Sequence, residues 1–257
     1  MVRSGSESSD RQTARVPAVD SSAPSRPTTT EPHAATKFYG RWARLYDLLA
    51  TWLPGVRDVR RSVAAACGLS AGDTVVELGC GTGSNLGYLS ERVGDEGRVI
   101  GVDITPEVLA LAADRTKDLE NVSVVRGDAT RPPLDTTEPD IDAVVATFLV
   151  GMLPDPAAAV STWCDLVGPG GRIVLANATT TDHWSAPLLN RAFRAFVVCS
   201  TPPTTQVRYD GNLVAQLETR VSTAHERLHD ESRATVDSRH AMGLVRLTGG
   251  IVGEPGG

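Results

Sequence analysis

Val75-Val76-Glu77-Leu78-Gly79-Cys80-Gly81-Thr82-Gly83-Ser84-Asn85 reads as an interior strand that breaks into a glycine turn and opens a helix. A short apolar run bounded by glycines suits a strand covered on both faces of a parallel sheet, and glycines at alternate positions permit backbone conformations and close approaches that a Cβ forbids. A ligand is therefore expected against the backbone of Gly79, Cys80, Gly81, Thr82 and Gly83. The spacing is Gly79-x-Gly81-x-Gly83, not the Gly-x-Gly-x-x-Gly that seats a pyrophosphate on a helix N-terminus. Glu77, two residues before the first glycine, would oppose a phosphate and favours a cationic ligand.

Downstream, Arg98-Val99-Ile100-Gly101-Val102-Asp103-Ile104 reads as a second strand with a carboxylate at its end. Ligands of open α/β sheets bind beyond the carboxyl ends of the strands, where Asp103 is placed to accept both hydroxyls of a ribose. The competing reading is that Asp103 or Thr105 caps a helix starting near Pro106-Glu107. Val122 to Arg126 is a third strand, followed by Gly127-Asp128-Ala129, which taken alone is an ordinary turn. Ile141 to Phe148 is a fourth strand, with Thr147 bordering the ligand. Pro156 to Val167 predicts a helix, Gly168-Pro169-Gly170-Gly171 a turn, and Arg172 to Asn177 a fifth strand. Met242 to Val252 supplies a closing strand or strand pair. Strands alternating with helices predict an α/β, doubly wound (Rossmann-like) fold, with a mostly parallel sheet and helices on both faces.

The acidic-x-Gly-x-Gly-x-Gly pattern, the carboxylate after the second strand and the Gly-Asp-Ala turn together resemble the class I S-adenosylmethionine-dependent methyltransferases. The resemblance runs over residues 38–252 and is strongest over 74–177. It implies S-adenosyl-L-methionine as cofactor, whose ammonium and sulfonium suit Glu77, and a seven-stranded sheet with an antiparallel C-terminal strand. It assigns Asp103, with Ile104 beside it, to the ribose, Asp128 with Ala129 to the adenine, and Thr147 to the border of the site. Upstream, Ala43-x-x-Tyr46-Asp47 followed by leucines resembles the N-terminal lid of the quinone-ring methyltransferases of ubiquinone and menaquinone biosynthesis. Those enzymes usually carry an Arg-Asn pair after the fourth strand. Here Phe148-Leu149-Val150-Gly151-Met152-Leu153-Pro154-Asp155 stands instead and implies a more apolar pocket.

With 257 residues and 41% hydrophobic content, the chain can bury one sizeable core. Residues 1–35, rich in Ser, Thr, Pro and charge, cannot offset the entropy of ordering and are expected to form a disordered tail. The remainder, 36–257, is expected to be one catalytic domain: lid helices over 36–70, a cofactor-binding core over 71–178, a substrate-side region over 179–240 and the closing strand over 241–257. Cys67, Cys80, Cys164 and Cys199 are dispersed, which argues against a disulfide framework or zinc site and points to a reducing cytoplasm; Cys80 reads as a small filler of the turn. No segment has the length and apolarity of a membrane span, and none reads as a secretory signal. The net charge of −6 gives no general attraction to nucleic acid.

The reaction is narrowed by what the sequence lacks. There is no Asn/Asp-Pro-Pro-Tyr after the fourth strand, the phrase used on planar amino groups, no Pro-Cys nucleophile, and no carboxylate cluster for magnesium, so no metal is expected. A sulfonium is already an activated methyl donor, leaving alignment of a small acceptor, exclusion of water and at most one base to the protein. Candidate bases are His183, in Thr179-Thr180-Thr181-Asp182-His183-Trp184, and Tyr39 and Tyr46 in the aromatic segment over 38–49. The stretch Pro187 to Val198 reads as a helix with an apolar stripe and Arg191 and Arg194 beside it. It either packs on the sheet or admits a lipophilic acceptor and touches a membrane surface. Two readings stand against a small-molecule methyltransferase: a nicotinamide-dependent oxidoreductase, opposed by the glycine spacing and Glu77, and a methyltransferase-like module that binds without transferring.

Overall fold

The computed structural model of the chain describes residues 55–134, 141–200 and 213–253, with side chains described to residue 195 in the second stretch. The elements run α1 (Val56–Ala66), β1 (Thr74–Leu78), α2 (Leu86–Val93), β2 (Arg98–Asp103), α3 (Pro106–Thr116), β3 (Val122–Arg126), β4 (Ala143–Thr147), a 3-10 turn (Val150–Met152) and α4 (Pro156–Val167). They continue as β5 (Arg172–Ala178), α5 (Ala186–Ser200), α6 (Leu213–Asp230), β6 (Ser232–His240) and β7 (Val245–Val252). The seven strands form one sheet in the order β3-β2-β1-β4-β5-β7-β6. β1 to β5 are parallel, whereas β7 runs antiparallel to β5 and to β6.

Successive strand side chains point to opposite faces, and both faces are covered. Val76, Leu78, Val144, Ala146, Ile173 and Leu175 face α4 and α6, and are packed with Val160, Trp163, Ala224 and Leu228. Val75, Val99, Ala143, Val145, Val174 and Ala176 face α1, α2 and α3, with Val59, Val63, Leu86, Leu89 and Leu109. Full burial of one such side chain stabilises the fold by roughly 1.5–3 kcal/mol. The sequence therefore has to supply apolar residues at consecutive strand positions, as it does at Val75-Val76 and Val144-Val145.

Local signals set the helix ends. α4 begins where the Asp155 side chain accepts from Ala158 N at 3.0 Å, carries Pro156 in its first turn, and stops at Gly168. Trp163, fully buried in its middle, donates its Nε1 proton to Ala129 O at 2.7 Å and ties this helix to the turn after β3. Ser232 to His240, which the sequence leaves on the substrate side, forms edge strand β6. Only Ser232 of its nine residues is buried, so no apolar alternation announces it.

Strand order reverses around β1, which lies between β2 and β4. Crossovers leave β1 and β4 in opposite directions there and open a crevice beyond their carboxyl ends. The glycine turn sits in that position.

Candidate cofactor and acceptor site

The turn after β1 takes its shape from Gly79, Gly81 and Gly83, whose φ values are +68°, +54° and +74°. L-residues are strained in this left-handed region. The three positions differ in what surrounds them. A Cβ on Gly79 would meet Leu149 Cδ1 at 2.8 Å, and one on Gly83 would meet Ala112 Cβ of α3 at 3.0 Å. A Cβ on Gly81 would meet nothing within 4 Å among the described residues, so the middle glycine borders open space there. That space is the cradle.

Asp103 holds the turn in place. Its Oδ2 accepts from Gly81 N at 3.0 Å and its Oδ1 from Thr105 N at 2.8 Å, leaving lone pairs on both oxygens for a diol. The two sequence readings of Asp103 are thus not exclusive: it braces the start of α3 through Thr105 while facing the crevice. Thr105 occupies the cap position without a side-chain cap bond. Ile104, next along, is 58% exposed, a large aliphatic surface beside a carboxylate and suited to a flat ring. At the end of β3, Asp128 Oδ1 accepts from Thr130 N and Thr130 Oγ1, both at 2.8 Å, which orients that carboxylate at the same edge of the sheet.

Beneath the turn lies a buried acid. Glu77 is 1% exposed; its Oε1 accepts from Asn85 Nδ2 at 2.5 Å and from Thr147 Oγ1 at 3.1 Å. Oε2 is buried without a hydrogen-bond partner among the described residues. Burial raises the Glu77 carboxyl to about 7, against the lowering effect of the Asn85 and Thr147 hydrogen bonds. A buried carboxylate with an unpaired oxygen is costly, and a ligand cation beside the turn would offset that cost. These features fit S-adenosyl-L-methionine: open space at Gly81, a diol acceptor at Asp103, an aliphatic surface at Ile104 and an uncompensated acid at Glu77.

Two residues in the turn have structural duties. Cys80 is buried beneath Gly101, and burial raises its thiol far above the range in which a thiolate forms, so it fills space as expected. Thr82 is also buried, and its carbonyl and hydroxyl accept from Arg115 Nη1 at 2.9 and 3.0 Å. The same nitrogen reaches Ser84 Oγ at 2.5 Å. Arg115, in the last turn of α3, is absent from the sequence reading: an exposed arginine at a helix end carries no local signal of this role.

On the acceptor side, Phe148 directly follows β4 at φ +56°, with its N–H donating to Ala176 O at 2.7 Å. A non-glycine residue held in this region costs of order 1–3 kcal/mol and marks a constrained turn at the mouth of the crevice. Leu149 lies over Gly79, and Met152 is 56% exposed. His183 stands between β5 and α5, with Nδ1 2.8 Å from Ser185 Oγ and its ring stacked obliquely on Trp184 at 5.5 Å. The loop holding it is well anchored. Thr181 N donates to Asn190 Oδ1 and Asn190 Nδ2 returns to Thr181 O, while Thr180 donates twice to Glu218 Oε1. Tyr39 and Tyr46, with the whole aromatic segment over 38–49, lie outside the described residues. Among the described residues no three metal-ligating side chains cluster, and no helix is long and apolar enough to cross a membrane.

Residues 75–171 match the family described as "Methyltransferase domain". The chain is 33% identical over 165 residues to the phosphatidylethanolamine N-methyltransferase of Cereibacter sphaeroides, a match covering 63% of this chain and 77% of the relative. It is 28% identical over 162 residues to the demethylmenaquinone methyltransferase of Staphylococcus saprophyticus, covering 61% of this chain and 64% of that one. Of other methyltransferase relatives it spans 30% to 55% of the length. Among solved structures, it resembles the N-methyltransferase NodS from Bradyrhizobium japonicum WM9 in complex with S-adenosyl-L-homocysteine. That likeness has a TM-score of 0.53 at 17% identity, covering 80% of this chain and 91% of NodS, and it shows a shared fold.

Proposed function

Since the chain belongs to the class I S-adenosylmethionine-dependent methyltransferases, we propose that it methylates a small, apolar acceptor, a prenylated ring above all, by in-line displacement. The observation that carries this reading is the segment after β4. Phe148, Leu149 and Met152 form an apolar run where the crevice leaves the glycine cradle, Leu149 buried over Gly79, Phe148 half-buried and Met152 exposed, and no charged side chain interrupts them before Asp155. The cofactor supplies, when bound, a methyl group already activated on a sulfonium. The protein's contribution is then positional: Asp103 and Gly81 fix one half of the cradle, Glu77 with Asn85 and Thr147 the other, and the apolar segment excludes water.

A base matters only if the acceptor atom carries a proton at transfer. His183 is the candidate among the described residues. Ser185 N also approaches its Nδ1, at 3.4 Å; accepting there places the neutral ring's proton on Nε2, so a base role for Nε2 belongs to the other tautomer, in which Nδ1–H donates to Ser185 Oγ. Tyr39 and Tyr46 remain proposed lid contributors on the resemblance alone.

Calorimetric titration with S-adenosylmethionine and with NADH, followed by labelled methyl transfer to a prenylated quinol precursor, a soluble catechol and phosphatidylethanolamine vesicles, tests the reading. Binding of the first ligand and label in the prenylated ring are expected. Label only in the amine lipid or only in the catechol would replace the acceptor. Binding with no transfer to any acceptor would favour a non-catalytic module.

A further inference from the structure

We propose that the outward face of α5, with the turn before it, docks on an anionic membrane surface. α5 is two-sided. Its inner face is already satisfied: Phe193 is buried and packs with Val214, Ala178, Leu217 and Leu244. Trp184 and Leu188 face the other way, 88% and 74% exposed, and the exposed Ala192 and Ala195 continue the same stripe at helical spacing. Trp184 in the turn and Leu188 on the helix are the most exposed large apolar side chains among the described residues.

Charge selects the occupant. Arg191 and Arg194 flank the stripe, both exposed, and neither has a carboxylate partner among the described residues. With Pro187 and Asn190 they line one open side of α5. Asp182 is the only carboxylate in residues 182–195, so the local balance is positive on a chain whose net charge is −6. An interfacial helix that sinks apolar residues to the headgroup boundary and meets lipid phosphates with arginine has this composition. The scaffold is rigid at that end: the reciprocal Thr181–Asn190 pair and the Thr180–Glu218 bonds hold the loop that presents Trp184.

This deepens the lipophilic-acceptor reading, since docking here brings the carboxyl edge of the sheet to the bilayer. Its test requires no methyl transfer, so the two can fail separately. The full chain is floated with vesicles of phosphatidylcholine alone and of phosphatidylcholine mixed with phosphatidylglycerol. Binding to the mixed vesicles only, weakened by salt, is expected. Arg191→Ala with Arg194→Ala should reduce it about 25-fold, at about fivefold per arginine, and Trp184→Ala with Leu188→Ser should remove it, with circular dichroism and cofactor titration unchanged. Absence of vesicle binding, equal binding to neutral vesicles, or wild-type binding by both double variants would overturn the proposal. So would a dimer in solution that Leu188→Ser dissolves, which would assign the face to a second copy.

Discussion

Gly81 N donates to Asp103 Oδ2 at 3.0 Å, so the turn after β1 and the carboxylate ending β2 form a single unit. Substituting Asp103 by Ala removes the proposed diol acceptor and also strands the N–H groups of Gly81 and Thr105. Affinity for S-adenosylmethionine is expected to fall by roughly 1–3 kcal/mol, about five- to 150-fold, with a lower melting temperature as well. Titration and thermal melting separate the effects. Unchanged affinity beside a lower melting temperature would leave Asp103 a purely structural role.

Gly81→Val should act on the ligand more than on the fold. The left-handed φ of +54° costs any L-residue about 1–2 kcal/mol, yet among the described residues nothing lies within 4 Å of the added Cβ. Cofactor binding should disappear while a cooperative melt persists. Gly83→Val, which would push into Ala112 and Leu86, should instead unfold the α3 contact. Equal melting temperatures for the two variants would contradict this assignment.

Arg115→Ala should weaken cofactor binding without touching the cofactor. One guanidinium nitrogen holds the carbonyl and hydroxyl of Thr82 and the hydroxyl of Ser84, so its removal loosens the cradle. An affinity loss of about 1–2 kcal/mol is expected, mostly as faster dissociation. Wild-type affinity in Arg115→Ala would show that the turn holds itself.

The parallel half of the sheet was legible because its strands read as short apolar runs, those of β1, β4 and β5 buried on both faces; β3, at the edge, and α4 have the bounds the sequence predicts. β4 is shorter than expected. Ile141 and Asp142 precede it, and Asp142 caps the sheet edge by accepting from Thr74 N at 2.8 Å. β6 stayed hidden because an edge strand with Val236 71% exposed lacks the apolar period that marks a strand. In the site, the glycines and carboxylates carried local signals. Arg115 and the left-handed Phe148 did not, since their roles depend on chain segments brought together only by folding.

The buried Glu77 should make cofactor affinity depend on pH. Its carboxyl, raised to about 7 by burial, holds a proton in the folded state below that pH, whereas a cationic ligand favours the ionised form. Affinity should therefore fall as pH drops below about 7, and titrations in buffers of different ionisation enthalpy should detect proton release on binding. Glu77→Gln should weaken binding and flatten this dependence. An unchanged pH profile would remove Glu77 from the ligand's field.

Two buried groups pull the stability of the ligand-free fold in opposite directions with pH. Glu77 has a folded value above its ordinary 4.5, so the folded state binds the proton more tightly, and stability falls as pH rises from about 4.5 to about 7. His225 is the reverse. Wholly buried between Thr248 Oγ1 at 2.6 Å and Asn177 Oδ1 at 3.3 Å, it is lowered to about 3, chiefly by burial and then by the Arg246 charge. Between about 6.5 and 3 the unfolded chain takes up a proton that the folded imidazole refuses, so stability is lost as pH falls. Asp237 adds a loss below its ordinary 3.8. Burial works to raise it, but the Thr248 hydrogen bond and the His229 and Arg246 charges outweigh burial and hold it lower. Wild type should thus show a flattened stability profile between pH 4.5 and 6.5, where the two trends oppose. Glu77→Gln should gain stability above pH 7, by about 3 kcal/mol at most, and below pH 6.5 should lose it steeply through His225 alone. Urea unfolding of both proteins across this range measures the difference directly, and parallel profiles would refute the opposition.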